Sequence, residues 1–295
     1  MFAPKAKYVR QRMTLGDYLN YTGIIIFSII CLLPFLYVLS VSFTSPKEYM
    51  PMKLILWPEH FSLESYSFII NRNSFMRSMA NSVFVTLVGT VCNLAVTFTG
   101  AYGISKKTMP GHKFIVPLVT FTLVFNAGIV PNFLLVRSMG MMNSFWALIL
   151  PGLTNAWSLL IVRSFIEGIS SELEEAAKMD GCTELGVFFK IILPLSKAAI
   201  ATFTVLFMVN HWNAYFNAMI YMTSTDNWTL PLMIKSMIVD SSALGGAVSS
   251  TDEKTVPLET IKMAAIVLSI APIVITYPFL QKYFEKGVTL GAVKG

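Results

Sequence analysis

The chain has 295 residues, 55% of them hydrophobic and only 13% charged, with a mean hydropathy of +0.64. An ordinary soluble domain carries about 25% charged residues, so this composition excludes that class and requires length to be read as membrane spans. The net charge of +6 does not read as a nucleic-acid surface, because Lys and Arg punctuate apolar runs instead of gathering on one basic face.

The basic start, with Lys5, Lys7, Arg10 and Arg12, precedes an apolar run too long for a cleaved signal and lacking a small-residue cleavage site. It reads as an N-terminal segment, 1–18, followed by a first transmembrane helix. Uncharged windows then cover 19–46, 78–105, 114–136, 138–162, 198–225 and 263–281. A bilayer core needs about 20 mainly apolar residues per helix, and each window meets that need. Every backbone polar group in hydrocarbon must be satisfied within its own segment, which makes long unalternating apolar runs helices and not barrel strands. The expected fold is therefore an all-α membrane protein of six transmembrane helices over 19–282, closed by a tail at 283–295. Spans three and four meet in a tight hairpin at Arg137.

With the N-terminus inside, fourteen of the 22 Lys and Arg fall on the cytoplasmic side. This places both termini in the cytoplasm, together with a polar island at about 168–195. Two longer segments lie outside, at 47–77 and 226–262. In the second, Gly245 and Gly246 belong to a Ser/Gly-rich loop tip, and Trp228 reads first as an interfacial anchor. The cysteines Cys31, Cys92 and Cys182 have no metal-type spacing and read as free thiols.

The polar island is the most informative stretch. Ser171 and Glu174 match a capping box, and Glu172, Glu174 and Glu175 put negative charge in a first turn, where the helix dipole favours it. Gly181 then permits a sharp turn into a second helix ending near Pro194. The expected result is a helix-turn-helix foot, with Ala176 and Ala177 small enough for a partner's backbone to come close. A solvated acidic helix with a Gly stop is the plainer alternative for each residue taken alone.

The spacing Glu175-Ala176-Ala177, three residues, Gly181, nine residues, Ile191, one residue, Leu193-Pro194 resembles the EAA loop of permease subunits of bacterial ABC importers. The segment 126–222 and the tail Gly291-Ala292-Val293-Lys294-Gly295 resemble the carbohydrate-uptake branch, of the maltose-type second permease and complex-oligosaccharide kind. That resemblance implies a bacterial plasma-membrane heterodimer with a second permease, two cytoplasmic ATPase subunits and an external solute-binding protein, importing carbohydrate. In it, Glu175 takes an ATPase Arg or Lys, Asp180 is second, and Gly181 is the turn. The outer loop, with Trp228, Gly245 and Gly246, reaches the binding protein.

The chain has no G-x-x-x-x-G-K-[ST] phosphate loop, so ATP and Mg belong to partner subunits and the chain itself is not expected to be an enzyme. His60, His112 and His211 lack Cys or Asp neighbours for a metal site or a catalytic triad. For the pathway, Asn210, Trp212, Asn213, Tyr215 and Asn217 form a polar and aromatic run in the fifth span. Asn210, Asn213 and Asn217 share a face if one helix carries them all. Amides with an aromatic platform suit a sugar, and Trp212 and Asn213 lean that way; Asn210 and Asn217 read equally as interhelical packing. A permease for another solute and an independent secondary transporter remain as rivals. The second would be expected to carry ionisable groups inside its spans, which these windows lack.

Overall fold

The computed structural model describes residues 14–50, 53–239 and 257–292, and the described residues form helices without a β-sheet. Among the described residues three helices are long and apolar enough to cross a bilayer: α1 (Leu15–Ser42), α3 (Asn73–Ser105) and the part Leu258–Thr276 of α14 (Leu258–Ala292). The short α2 (Glu64–Ile70) precedes α3. Three further apolar stretches are bent pairs, and the count reaches six only if each pair is one span. In the first, α4 (His112–Val124) and α5 (Ile129–Ser138) meet at 118°. In the second, α6 (Trp146–Ile149), with a 3-10 turn at Leu150–Gly152, meets α7 (Ala156–Glu167) at 54°. The third joins Glu184–Leu195 to α11 (Lys197–Trp212) at 79°.

The expected six transmembrane helices thus correspond to three helices of spanning length and three bent pairs. The first two breaks have a local cause. The α4–α5 corner is an Asx turn in which the Asn126 side chain accepts the Gly128 N–H at 2.8 Å. The break before α7 holds Pro151, and Asn155 restarts the helix by accepting the Ser158 N–H at 2.8 Å. Hydropathy continues through these turns, so a composition window cannot see them. After α11 the chain turns at Asn213 and Ala214 and resumes as α12 (Tyr215–Tyr221), then α13 (Leu230–Val239). The helix α14 runs on to Ala292, across the expected start of the tail at 283.

The axis of the fold is α3, with α7 and α11 packed along it. Its 33 residues extend about 50 Å at 1.5 Å per residue. The buried side follows a helical stripe of small and polar residues: Ser78, Ser82, Thr86, Gly89, Asn93 and Thr97. Such residues let helix backbones approach in lipid, where apolar burial alone gives no preference for one neighbour. Around one end of α3, Phe75 joins Tyr66, Ile69, Trp212, Leu230 and Met233 in a buried cluster. Around the other, Phe98 and Tyr102 join Val162, Ile166, Val187, Phe188 and Phe203.

By contrast, α1 packs chiefly on α14 and turns residues such as Ile25, Phe27 and Phe35 outward, while α4 buries none of its residues. Apolar surface on this scale is costly against water and unremarkable against lipid or another apolar subunit.

Candidate functional site

The polar island folds as α8 (Ser171–Met179), a turn, and the short α9 (Glu184–Val187). The cap is Ser170, one residue earlier than Ser171, and its side chain accepts the Glu172 N–H at 3.3 Å. With Ser170 as the cap the third helical residue is Leu173, so the expected capping box with Glu174 does not form. At the other end of α8 the Gly181 N–H bonds the Lys178 carbonyl at 3.0 Å and the Cys182 N–H bonds the Ala177 carbonyl at 2.9 Å, the Schellman pattern. Gly181 has φ +83, a conformation that strains any residue with a Cβ.

Thr183 caps α9 by accepting the Gly186 N–H at 3.2 Å. The chain then widens into a π-helical turn over Phe188–Ile192 before the short α10 (Leu193–Leu195). Pro194 lies within this helix and does not end it; the bend comes at Ser196. Proline has no N–H to give the carbonyl four residues back and its ring crowds that carbonyl, so a wider turn ahead of it relieves both problems.

The two faces of α8 differ. Glu175, Ala176, Met179 and Asp180 are exposed, Met179 at 88%. On the opposite side Ala177 is buried at 8% in the cluster at the end of α3, so only Ala176 of the Ala pair offers its methyl outward. Glu174, its side chain 13% exposed, pairs with Lys106 just past the end of α3. Lys106 lies over the Tyr102 ring at 4.5 Å, and the Tyr102 hydroxyl donates to Glu184 at 3.0 Å. Lys178 pairs with the other oxygen of Glu184 at 2.5 Å.

That Lys178 hydrogen bond is the main cause holding the Glu184 carboxyl below the usual carboxylate range, with Tyr102 and Lys106 aiding and partial desolvation opposing. Burial pushes the Lys106 ammonium below its ordinary value, with Glu184 pulling the other way and Lys178 adding to the shift. Beside the foot opens a cleft of about 670 Å³, walled by Lys106, Lys107, Arg163, Glu167, Glu174 and Glu175.

Midway along α3, His211 reaches across from α11 and donates from Nε2 to Asn93 Oδ1 at 3.0 Å. Asn93 in turn donates to the Gly152 carbonyl at 2.7 Å, in the break between α6 and α7. A Cβ at Gly89 would stand 2.6 Å from the His211 ring, so this approach requires glycine. Sequence reading left His211 without a partner. Its signal was there in Gly89 and Asn93, four residues apart on one helix face of a span.

The fifth-span run is divided by the turn at Asn213, so Asn217 sits on α12 and the single face expected for Asn210, Asn213 and Asn217 is not formed. All three are exposed, and Asn213 spends its amide N–H on the Val209 carbonyl at 2.9 Å. Tyr215 is half-buried, its hydroxyl 3.3 Å from the Met219 sulfur. Trp212 points inward, 7% exposed, and walls an apolar cavity of about 160 Å³ with Thr86, Val209 and Pro272.

At the far end of α3, Arg77 pairs with Asp226, and the Asn81 amide donates to the carbonyls of Asp226 at 2.9 Å and Trp228 at 3.0 Å. Ser82 accepts the Leu230 N–H at 2.7 Å. Trp228 is half-buried, packed against two clusters rather than standing free. Gly245 and Gly246 lie outside the described residues. Cys31, Cys92 and Cys182 are free, and no group of three or more His, Cys, Asp or Glu gathers among the described residues.

Residues 112–290 match the family model described as "Binding-protein-dependent transport system inner membrane component". The polygalacturonan/rhamnogalacturonan transport system permease protein YtcP of Bacillus subtilis is 42% identical over 282 residues, 95% of this chain and 99% of its own. Protein LplC of the same organism is 40% identical, covering 90% of both chains. Among solved structures, a chain of a bacterial ABC transporter involved in the import of the acidic polysaccharide alginate superposes with a TM-score of 0.84 at 31% identity, over 92% of this chain and 99% of that one.

Proposed function

Because the chain belongs to the family of binding-protein-dependent transport system inner membrane components, we propose that it is the second-permease half of an ABC importer for oligosaccharides. Membership in that family replaces the reading of an independent secondary transporter. The supporting names are those of YtcP, of the arabinooligosaccharide permease AraQ of Halalkalibacterium halodurans at 29% identity, and of the alginate importer.

In this reading the chain sits in the bacterial plasma membrane with both termini and the foot in the cytoplasm. A second permease completes the pathway, and an external solute-binding protein delivers the sugar. Two ATPase subunits hold ATP and Mg. The single observation that carries the coupling role is the outward face of α8, where Glu175, Ala176, Met179 and Asp180 stand unpacked beside a turn that only Gly181 makes without strain. A flat carboxylate-edged surface of this kind accepts a charge-assisted bond from an Arg or Lys of the ATPase, with Ala176 allowing close approach. Closure of the ATPase pair then displaces the foot and biases the spans between two packings.

Asn210, Asn213, Tyr215 and Asn217 supply hydrogen-bonding groups to the pathway, with Trp212 backing them from inside. Trp228, with the loop holding Gly245 and Gly246, forms the side turned to the binding protein.

The test is purification of the tagged chain with its neighbours. The expected outcome is a complex of two permeases and two ATPase subunits whose ATP hydrolysis rises with a binding protein loaded with neutral or uronate-containing oligosaccharide. Vectorial sugar transport by this chain alone in liposomes would overturn the proposal.

A further inference from the structure

Tyr102, in the last turn of α3, and Lys106, just past its end, each take a carboxylate from a different arm of the foot. Lys106 pairs with Glu174 of α8, and Tyr102 donates to Glu184 of α9 at 3.0 Å. Behind them Ala177, Val187 and Phe188 close an apolar seam against the same end of α3, with the Tyr102 and Phe188 rings 5.2 Å apart. The foot is thus joined to α7 and α11 by the chain itself and to α3 by this clamp. A solvated acidic face would engage neither arm.

The opposite end of α3 is tied as firmly. Asn81 and Ser82 bond the backbone at Asp226, Trp228 and Leu230, and Arg77 pairs with Asp226. From Asn81 to Tyr102 the helix rises about 30 Å, the thickness of a hydrocarbon core. Between the two ties α3 is unbroken and free of proline, whereas the neighbouring stretches α4–α5 and α6–α7 are bent at turns.

From this we infer that α3 is a rigid rod that carries displacement of the foot to the segment 226–239 at the opposite end. Lys106 and Tyr102 are the positioning residues that make foot and rod move as one body. The inference rests on the importer reading above and adds to it a transmission element outside the EAA loop. A foot held only by its chain connections would act through α7, whose stretch bends by 54° ahead of Ala156, and through the 79° bend that leads into α11. An uninterrupted helix with both ends bonded transmits the displacement.

The test uses the complete importer in lipid nanodiscs, reading the ratio of ATPase activity with and without sugar-loaded binding protein. Lys106→Met is expected to lower that ratio by about fivefold or more, the range of a typical coupling energy. Tyr102→Phe, which removes one hydroxyl, is expected to lower it less. The exchange Lys106→Glu with Glu174→Lys is expected to restore it, which ties the loss to this ion pair; the separation measured next distinguishes coupling from a merely structural role.

Spin labels at positions 76 and 172, in a chain with its three cysteines replaced by Ser, read the rod directly. Their separation is expected to stay constant between nucleotide-free and ATP-bound states, and to become nucleotide-dependent in Lys106→Met. A separation that changes with ATP while the clamp is intact, or an unaltered ratio in both single variants, overturns the rod and leaves the importer reading standing. A wild-type complex that the binding protein does not stimulate overturns both.

Discussion

Glu174 and Glu175 are neighbours on one helix and live in different environments. Glu174 faces inward, its side chain 13% exposed and paired with Lys106, while Glu175 is exposed at the wall of the neighbouring cleft. The difference extends along α8: Ala177 is sealed against the end of α3, whereas Ala176 and Met179 stand outside. One face therefore anchors the foot to the transmembrane body, and the other stays exposed as the proposed docking face.

The largest effect that would break this division is Gly181→Val. At φ +83 a β-branched residue is strained by about 1–3 kcal/mol, and no neighbouring atom within 4 Å explains a loss by crowding. The turn, and with it the outward face, is expected to shift. The variant should reach the membrane at normal abundance yet lose binding-protein-stimulated ATPase activity and sugar uptake. Normal coupled transport would mean that the turn does not shape the docking face.

Glu174→Gln and Glu175→Gln sharpen the comparison next. Removing the Glu174 charge leaves Lys106 enclosed without its partner, at a cost of about 1.5–3 kcal/mol for a charged hydrogen bond, and should lower the melting temperature of the purified complex. Glu175→Gln should leave melting unchanged, within about 0.5 kcal/mol as for ordinary surface changes, but weaken retention of the ATPase on affinity purification. Equal melting losses for the two would erase the distinction between the faces.

The smallest effect is a pH dependence on the inward side. The folded carboxyl of Glu184 lies below its unfolded value, chiefly through the Lys178 hydrogen bond. Its stabilisation is therefore complete above the unfolded value of about 4.3 and is lost as pH falls through the folded value. Glu184 is well exposed, so solvent screening keeps this contribution small. Glu184→Gln should flatten the acid limb of the melting-temperature profile.

Much of this foot was legible beforehand because its parts are local. A helix start among Glu172, Glu174 and Glu175, an αL glycine six residues after Glu175, and a proline further on all act through bonds to near neighbours. The cap at Ser170, the π-helical turn before Pro194 and the inward role of Glu174 were not legible, since each depends on what the chain meets in space. The spans show the same limit. Runs of apolar residues announce burial in lipid, but the corner at Asn126–Gly128 and the break near Pro151 lie within runs of almost unaltered hydropathy. Likewise Asn210, Asn213 and Asn217 share a face only on a single helix, and the turn at Asn213 divides it.

By itself the amino-acid sequence determined that this is a helical membrane protein, where its polar island lies, and which family it joins, because composition, helical periodicity and motif spacing are properties of short stretches of chain. Only the tertiary structure decided which glutamate anchors and which stays exposed, that His211 finds Asn93, and that both arms of the foot grip the same end of α3. Those outcomes rest on contacts between residues 68 to 118 positions apart, brought together by packing around α3. No local rule of the chain encodes which of two adjacent carboxylates will face that helix.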